Sequence, residues 1–87
     1  MRVPLERPER PEGGAWECHH VFGGSCRKWS EKYNCVIYLL PQMHRGTNGI
    51  HRNKAFRQRI QQEYQRRLEM AGLTRGEFIE TFLKSRL

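Results

Sequence analysis

Apolar positions are scattered until residue 15, and from there the pattern of the chain changes period twice. The stretch Trp16–Phe22, "WECHHVF", is short and β-leaning, and Gly23-Gly24 ends it. Ser25–Asn34, "SCRKWSEKYN", is polar with two aromatics and reads as a long loop pinned by Trp29 and Tyr33. Cys35–Leu40, "CVIYLL", is the strongest strand in the chain, a β-branched and aromatic run closed by Pro41. "RGTNG" at Arg45–Gly49 is turn chemistry. From about Arg52 the period becomes helical. Phe56, Ile60, Tyr64 and Leu68 recur every four residues, with Ala55 and Ala71 beside them, and this stripe predicts a helix of about five turns. Gly72 stands where a C-cap belongs. "TRGE" at Thr74–Glu77 has capping-box spacing and starts a second helix, whose expected buried face is Phe78, Ile79, Phe82 and Leu83. Strand, long loop, strand, turn, helix, helix is the order of a small α+β unit, and no internal repeat is visible.

Composition sets the boundaries of that unit. Residues 1–14, "MRVPLERPERPEGG", hold three prolines, two glycines and charges that cancel, too little apolar surface to offset ordering entropy. They are expected to form a mobile arm, with residues 15–87 as the single domain. A domain of that size, in a chain of mean hydropathy -0.86, has a small core, and a metal or disulfide often supplements one. The three cysteines, Cys18, Cys26 and Cys35, are an odd number without a secretory pattern and without a C-x-x-C pair. Reduced, mostly buried thiols are expected, and no separate structural zinc. No apolar run is long enough to span a bilayer, so the protein is expected in the cytoplasm, with no membrane partner.

Charge adds a partner. The net charge is +7, and arginine outnumbers lysine twelve to four. Between His44 and Arg67 lie Arg45, Arg52, Lys54, Arg57, Arg59, Arg66 and Arg67 against the single acid Glu63. A solvated helix face usually mixes signs, and this one hardly does. Guanidinium forks bind oxygens in pairs, so a polyanion is expected, nucleic acid first among them.

The four histidines fall in two clusters, His19-His20 and His44 with His51. If the strands pair antiparallel and the helix lies on the hairpin, all four can converge at one edge. Neutral imidazoles hold borderline divalent ions well. Neighbouring residues on a strand point to opposite faces, which suggests a division of labour, one ring on the metal and the next on the reacting group.

With those residues in view, "CHHVFGG", "VIYLLPQMH" and "GIHRNK" resemble the ββα-metal fold of HNH (His-Me finger) endonucleases. The histidine framework is similar to the nuclease domain of DNase colicins. The longer pattern with "EFIETFLKSRL" is similar to small HNH-like phage and prophage proteins. The resemblance implies a ββα-metal unit with an additional C-terminal helix. It also implies a metal-dependent endonuclease cutting nucleic acid, DNA by preference, with little sequence specificity. His19, His44 and His51 would ligate one divalent ion (Mg²⁺, Mn²⁺, Ni²⁺ or Zn²⁺), and His20 would be the general base. Arg52 or Lys54 would clamp the phosphate, with Arg57 and Arg59 gripping the backbone. The family's middle asparagine, which orients the catalytic histidine, falls at Asn34 or Cys35, and the register favours cysteine. A backbone carbonyl can do that job instead. The turn between His44 and His51 is longer than in colicins.

Two other readings stay open. In one, the metal only staples a nucleic-acid-binding module that does not cleave. In the other, a phage protein uses its basic face on a host protein partner. No small-molecule cofactor is expected in any of them.

Overall fold

A computed structural model describes residues 3–87. The elements are β1 (Glu17–His20), a 3-10 turn (Gly24–Cys26), α1 (Arg27–Tyr33), β2 (Val36–Leu39), α2 (Pro41–His44), α3 (Lys54–Met70) and α4 (Arg75–Phe82). The architecture is α+β, with one two-stranded antiparallel sheet and its helices. His19 lies opposite Ile37 and His20 opposite Val36, and Val21 N–H prolongs the pairing by donating to Cys35 O at 2.9 Å.

The connection expected as a loop is helical over Arg27–Tyr33. Seven residues are too few for an apolar repeat to show, and the one buried residue of α1 is Ser30, a polar one. Its hydroxyl accepts from Phe22 N–H at 2.9 Å and donates to Phe22 O at 2.8 Å, clamping the helix to the end of the first strand. Trp29 and Tyr33 stack on one another one turn apart, their ring centres 6.5 Å from each other. Asn34 ends α1 at φ 60°, a left-handed conformation that asparagine tolerates better than most residues.

The long helix begins at Lys54, where the Asn53 side chain accepts from Phe56 N–H at 3.0 Å. Tyr64 and Leu68 of the expected stripe are buried, and Ile60 packs against the core. Gly72, at φ 110°, closes the helix. Its N–H reaches Glu69 O, and Leu73 N–H reaches Leu68 O, the paired bonds of a Schellman motif. Thr74 and Glu77 form the expected capping box at the start of α4. The buried face of α4 is narrower than expected. Phe78 and Phe82 are fully buried, but Ile79 is 40% and Leu83 67% exposed. The helix stops at Phe82, and two turns present only one stripe to the core.

Phe22 is the centre of that core, its ring 5.5 Å from Phe78 and 4.5 Å from Phe82, with the Arg86 guanidinium 5.0 Å over it. Around it lie Val21, Cys26, Cys35, Tyr64, Leu68 and Leu73. All three cysteines are free, and burial pushes the Cys35 thiol up to about 12. Gln65 is wholly buried on α3. Its Oε1 accepts from Arg86 N–H at 2.7 Å, and its Nε2 donates to Ser85 Oγ at 3.0 Å and Glu69 Oε2 at 2.9 Å. At the other end, Val3 and Leu5 pack against the core, contacts for which a proline- and charge-rich composition gave no reason. Leu5 N–H donates to Tyr33 O at 3.0 Å, and Asn34 Nδ2 donates to Leu5 O at 2.8 Å. Among the described residues no helix is long and apolar enough to cross a membrane.

Candidate metal centre

His19 sits on β1, His44 closes α2, and His51 lies on the loop that leads to α3. Each offers one ring nitrogen, and the three nitrogens all lie within 4.8 Å of one another. The ring centres are 5.1 Å apart for His19–His44, 4.9 Å for His19–His51 and 4.6 Å for His44–His51.

The six-residue gap between His44 and His51 closes because the loop folds back on itself. Pro41 sets the first turn of α2. Ile50 N–H then donates to Met43 O at 2.7 Å and His51 N–H to His44 O at 3.3 Å, while the Ile50 side chain is fully buried. Arg57, expected on phosphate, donates instead to Ile50 O and His51 O at 3.3 and 3.2 Å. It fixes the loop that carries His51. Gly49 is buried where any Cβ would come within 3.0 Å of backbone atoms of His44, Gln42 and Gly46. No flexible side chain is there to give way. Gly49→Ala is expected to cost about 1–3 kcal/mol of stability, read from a denaturant melt, and to weaken metal binding by displacing His51.

The electrostatics suit a cation. Burial, with His51 and His44 next to it, drives the His19 imidazolium down to about 4, so this ring is neutral at physiological pH. Burial followed by His44 also lowers His51. A carboxylate only accepts, so Glu17 Oε1, 2.7 Å from His44 Nδ1, holds the proton there and turns the Nε2 lone pair inward. That nitrogen lies 2.9 Å from His51 Nε2. A carboxylate behind a ligating histidine is the usual support of a metal site. Glu17 also accepts from Arg45, and His44 followed by Arg45 holds it below the usual carboxylate range.

His19 Nε2 is buried and has no hydrogen-bond partner. Leaving such an atom unsatisfied costs about 1–3 kcal/mol, a cost that a cation shared with His44 and His51 removes. The residues therefore fit a divalent ion. Tetrahedral bonds of about 2.0–2.1 Å place neighbouring nitrogens about 3.3 Å apart. The His44–His51 pair would need to open only slightly to reach that spacing.

His20 belongs to the same cavity. A cleft of about 270 Å³ is lined by Cys18, His19, His20, Gly23, Gly24, Arg27, His44 and His51. Through His20, Gly24 and Arg27 it joins a shallower hollow of about 550 Å³ that adds Ser25, Lys28 and Glu31. Adjacent histidines on one strand thus reach one cleft because β1 ends at His20, where the chain turns away. Neither Asn34 nor Cys35 hydrogen-bonds the His20 ring. Asn34 serves Leu5 and Arg7, Cys35 is a core thiol, and the partner of His20 is Glu31, at 2.7 Å. Of the four expected phosphate contacts, Arg52, Lys54, Arg57 and Arg59, none lines the cleft or the hollow, whereas Arg27 lines both and Lys28 the hollow.

Glu17, Glu31 and Arg27 were not legible as site residues. Each meets a histidine or the cleft through the folding of α1 and the hairpin, and only Glu17, on the strand of His19, had a local hint.

Compared with known proteins, the chain matches no family model, no curated protein and no solved structure.

Proposed function

We propose that this chain is a metal-dependent endonuclease built on a ββα-metal unit, hydrolysing phosphodiester bonds in nucleic acid, DNA by preference. The observation that carries the reading is the shared cleft. Three converging imidazoles and a fourth, carboxylate-bound imidazole open onto one cleft that Arg27 also lines.

His19, His44 and His51 would hold the ion, with Glu17 fixing His44. When bound, a divalent ion there supplies charge stabilisation for a phosphate and its departing 3′-oxygen. His20 performs the proton transfer. Its Nε2 is committed to Glu31, so Nδ1 is the ring nitrogen left to accept a proton from water. Arg27 in the cleft and Lys28 in the adjoining hollow would meet a phosphate, and the exposed Arg52, Lys54 and Arg59 would give sequence-independent grip on a strand. Few groups are placed to read bases, which fits low sequence preference.

Three nitrogen donors suit Zn²⁺ or Ni²⁺ better than Mg²⁺. The same donor set favours the second reading, in which the ion staples the fold and the basic surface binds nucleic acid without cutting it. Supercoiled plasmid incubated with the protein and each of Mg²⁺, Mn²⁺, Ni²⁺ and Zn²⁺ separates the two. Nicked circles that EDTA prevents are expected. Plasmid left intact with all four ions would overturn the enzyme and leave the stapled module.

A further inference from the structure

The His20 ring is held from outside the hairpin. Its Nε2 lies 2.7 Å from Glu31 Oε2, and the other oxygen of that carboxylate accepts from Arg7 Nη1, also at 2.7 Å. His20 ends β1, Glu31 lies on α1, and Arg7 comes from the segment before both. None of the three positions is arbitrary. The Ser30 hydroxyl bonds both backbone groups of Phe22, so the residue beside it, Glu31, is fixed relative to the strand end that carries His20. The segment at Leu5 is tied at the far end of α1 by its bonds to Tyr33 and Asn34. That strap delivers Arg7 to the outer side of the carboxylate.

We propose that Glu31 is the positioning residue of His20, selecting the imidazole form protonated on Nε2, and that Arg7 keeps Glu31 in the conformation that does so. A carboxylate offers no proton, so the nitrogen facing it must be the donor. A neutral imidazole carries one N–H, and with it on Nε2 the lone pair stands on Nδ1. In water the two forms are close in energy, and a ring without an orienting partner divides between them and turns freely. With Glu31 in place the base is preset. Arg7 contributes little to stability as an exposed ion pair. Its effect is on the choice of Glu31 rotamer, which otherwise swings into solvent. The segment that composition marks as an arm is therefore part of the cleft's machinery.

The catalytic consequence rests on the nuclease reading, whereas the ring geometry does not, so the test has two arms. The first is ¹⁵N NMR of the histidine rings in full-length protein, above the range in which imidazoles titrate, comparing wild type with Glu31→Gln and Arg7→Ala. Wild type is expected to show His20 protonated on Nε2. Gln, whose amide can donate as well as accept, is expected to give a mixture, and Arg7→Ala a smaller shift in the same direction. The second arm is plasmid nicking. Glu31→Gln is expected to lower kcat by roughly 10–100-fold, as for other carboxylate–histidine partners, with KM and metal affinity near wild type. Both side chains are exposed, so thermal melts should match wild type.

A wild-type His20 protonated on Nδ1, or a ring form unchanged in Glu31→Gln, would overturn the proposal. So would cleavage by wild type with an undiminished kcat in Glu31→Gln, and that result would leave the nuclease standing. The expected ring forms in a protein that cuts nothing would support Glu31 as the positioning residue and sink the nuclease instead.

Discussion

His20→Ala is expected to lower plasmid nicking by roughly 10²–10⁴-fold, the usual contribution of a general base, while leaving metal binding and folding close to wild type. The selectivity follows from the geometry. The His20 side chain, at the end of β1, hydrogen-bonds Glu31 and is not one of the three converging nitrogen donors. Its loss removes the group that takes the proton from water but none of the three nitrogen donors. The measurement is initial nicking rate at saturating metal, alongside a metal titration and a thermal melt. Equal rates for wild type and variant would mean that the water is activated by another group, and the assignment of His20 would fall even if cleavage persisted.

The second large effect concerns the ion. His19→Ala is expected to weaken divalent-metal affinity by roughly 100-fold or more, beyond the 10–100-fold that loss of a supporting partner costs. His19 is the buried member of the cluster, its ring within 5.1 Å of both others, and its unpartnered nitrogen is the one that most needs an ion. Without it two imidazoles remain. In wild type, Zn²⁺ at a hundred times its dissociation constant should add about 2.7 kcal/mol, a rise of roughly 10–20 °C in melting temperature for a domain of this size. In His19→Ala that rise should almost vanish. The readout is the metal-dependent shift, so whatever the emptied ring space costs the metal-free protein cancels out. A full shift in the variant would show that the ion binds elsewhere.

The parts legible in the sequence were those whose cause is local. The period of Phe56, Ile60, Tyr64 and Leu68 fixed α3, the Thr74–Glu77 spacing fixed the start of α4, and β-branched residues marked β2. The candidate ligands His19, His44 and His51 do come together. What could not be read was non-local. The helix at Arg27–Tyr33 is held by a serine clasping a distant backbone, and serine in a polar stretch signals a loop. The partner of His20 follows from where that unexpected helix lies, whereas Asn34 and Cys35 were expected only from the resemblance to a family with an asparagine there. Arg57 looked like part of a basic face because charge is visible in sequence, whereas the carbonyls of Ile50 and His51 that occupy it are not.

Gln65 gives the carboxyl-terminal residues a weight that their polarity conceals. Its amide, sealed inside the molecule, takes the peptide N–H of Arg86 on its oxygen and shares its nitrogen between Ser85 and Glu69. A proteolytic nick after Lys84 would strip away Ser85 and Arg86 and leave that amide oxygen, on the longest helix, without a donor, while Glu69 kept its nitrogen. The tail thus works as a stopper: unplugging it would admit water beside Leu68 and loosen the molecule from the inside out.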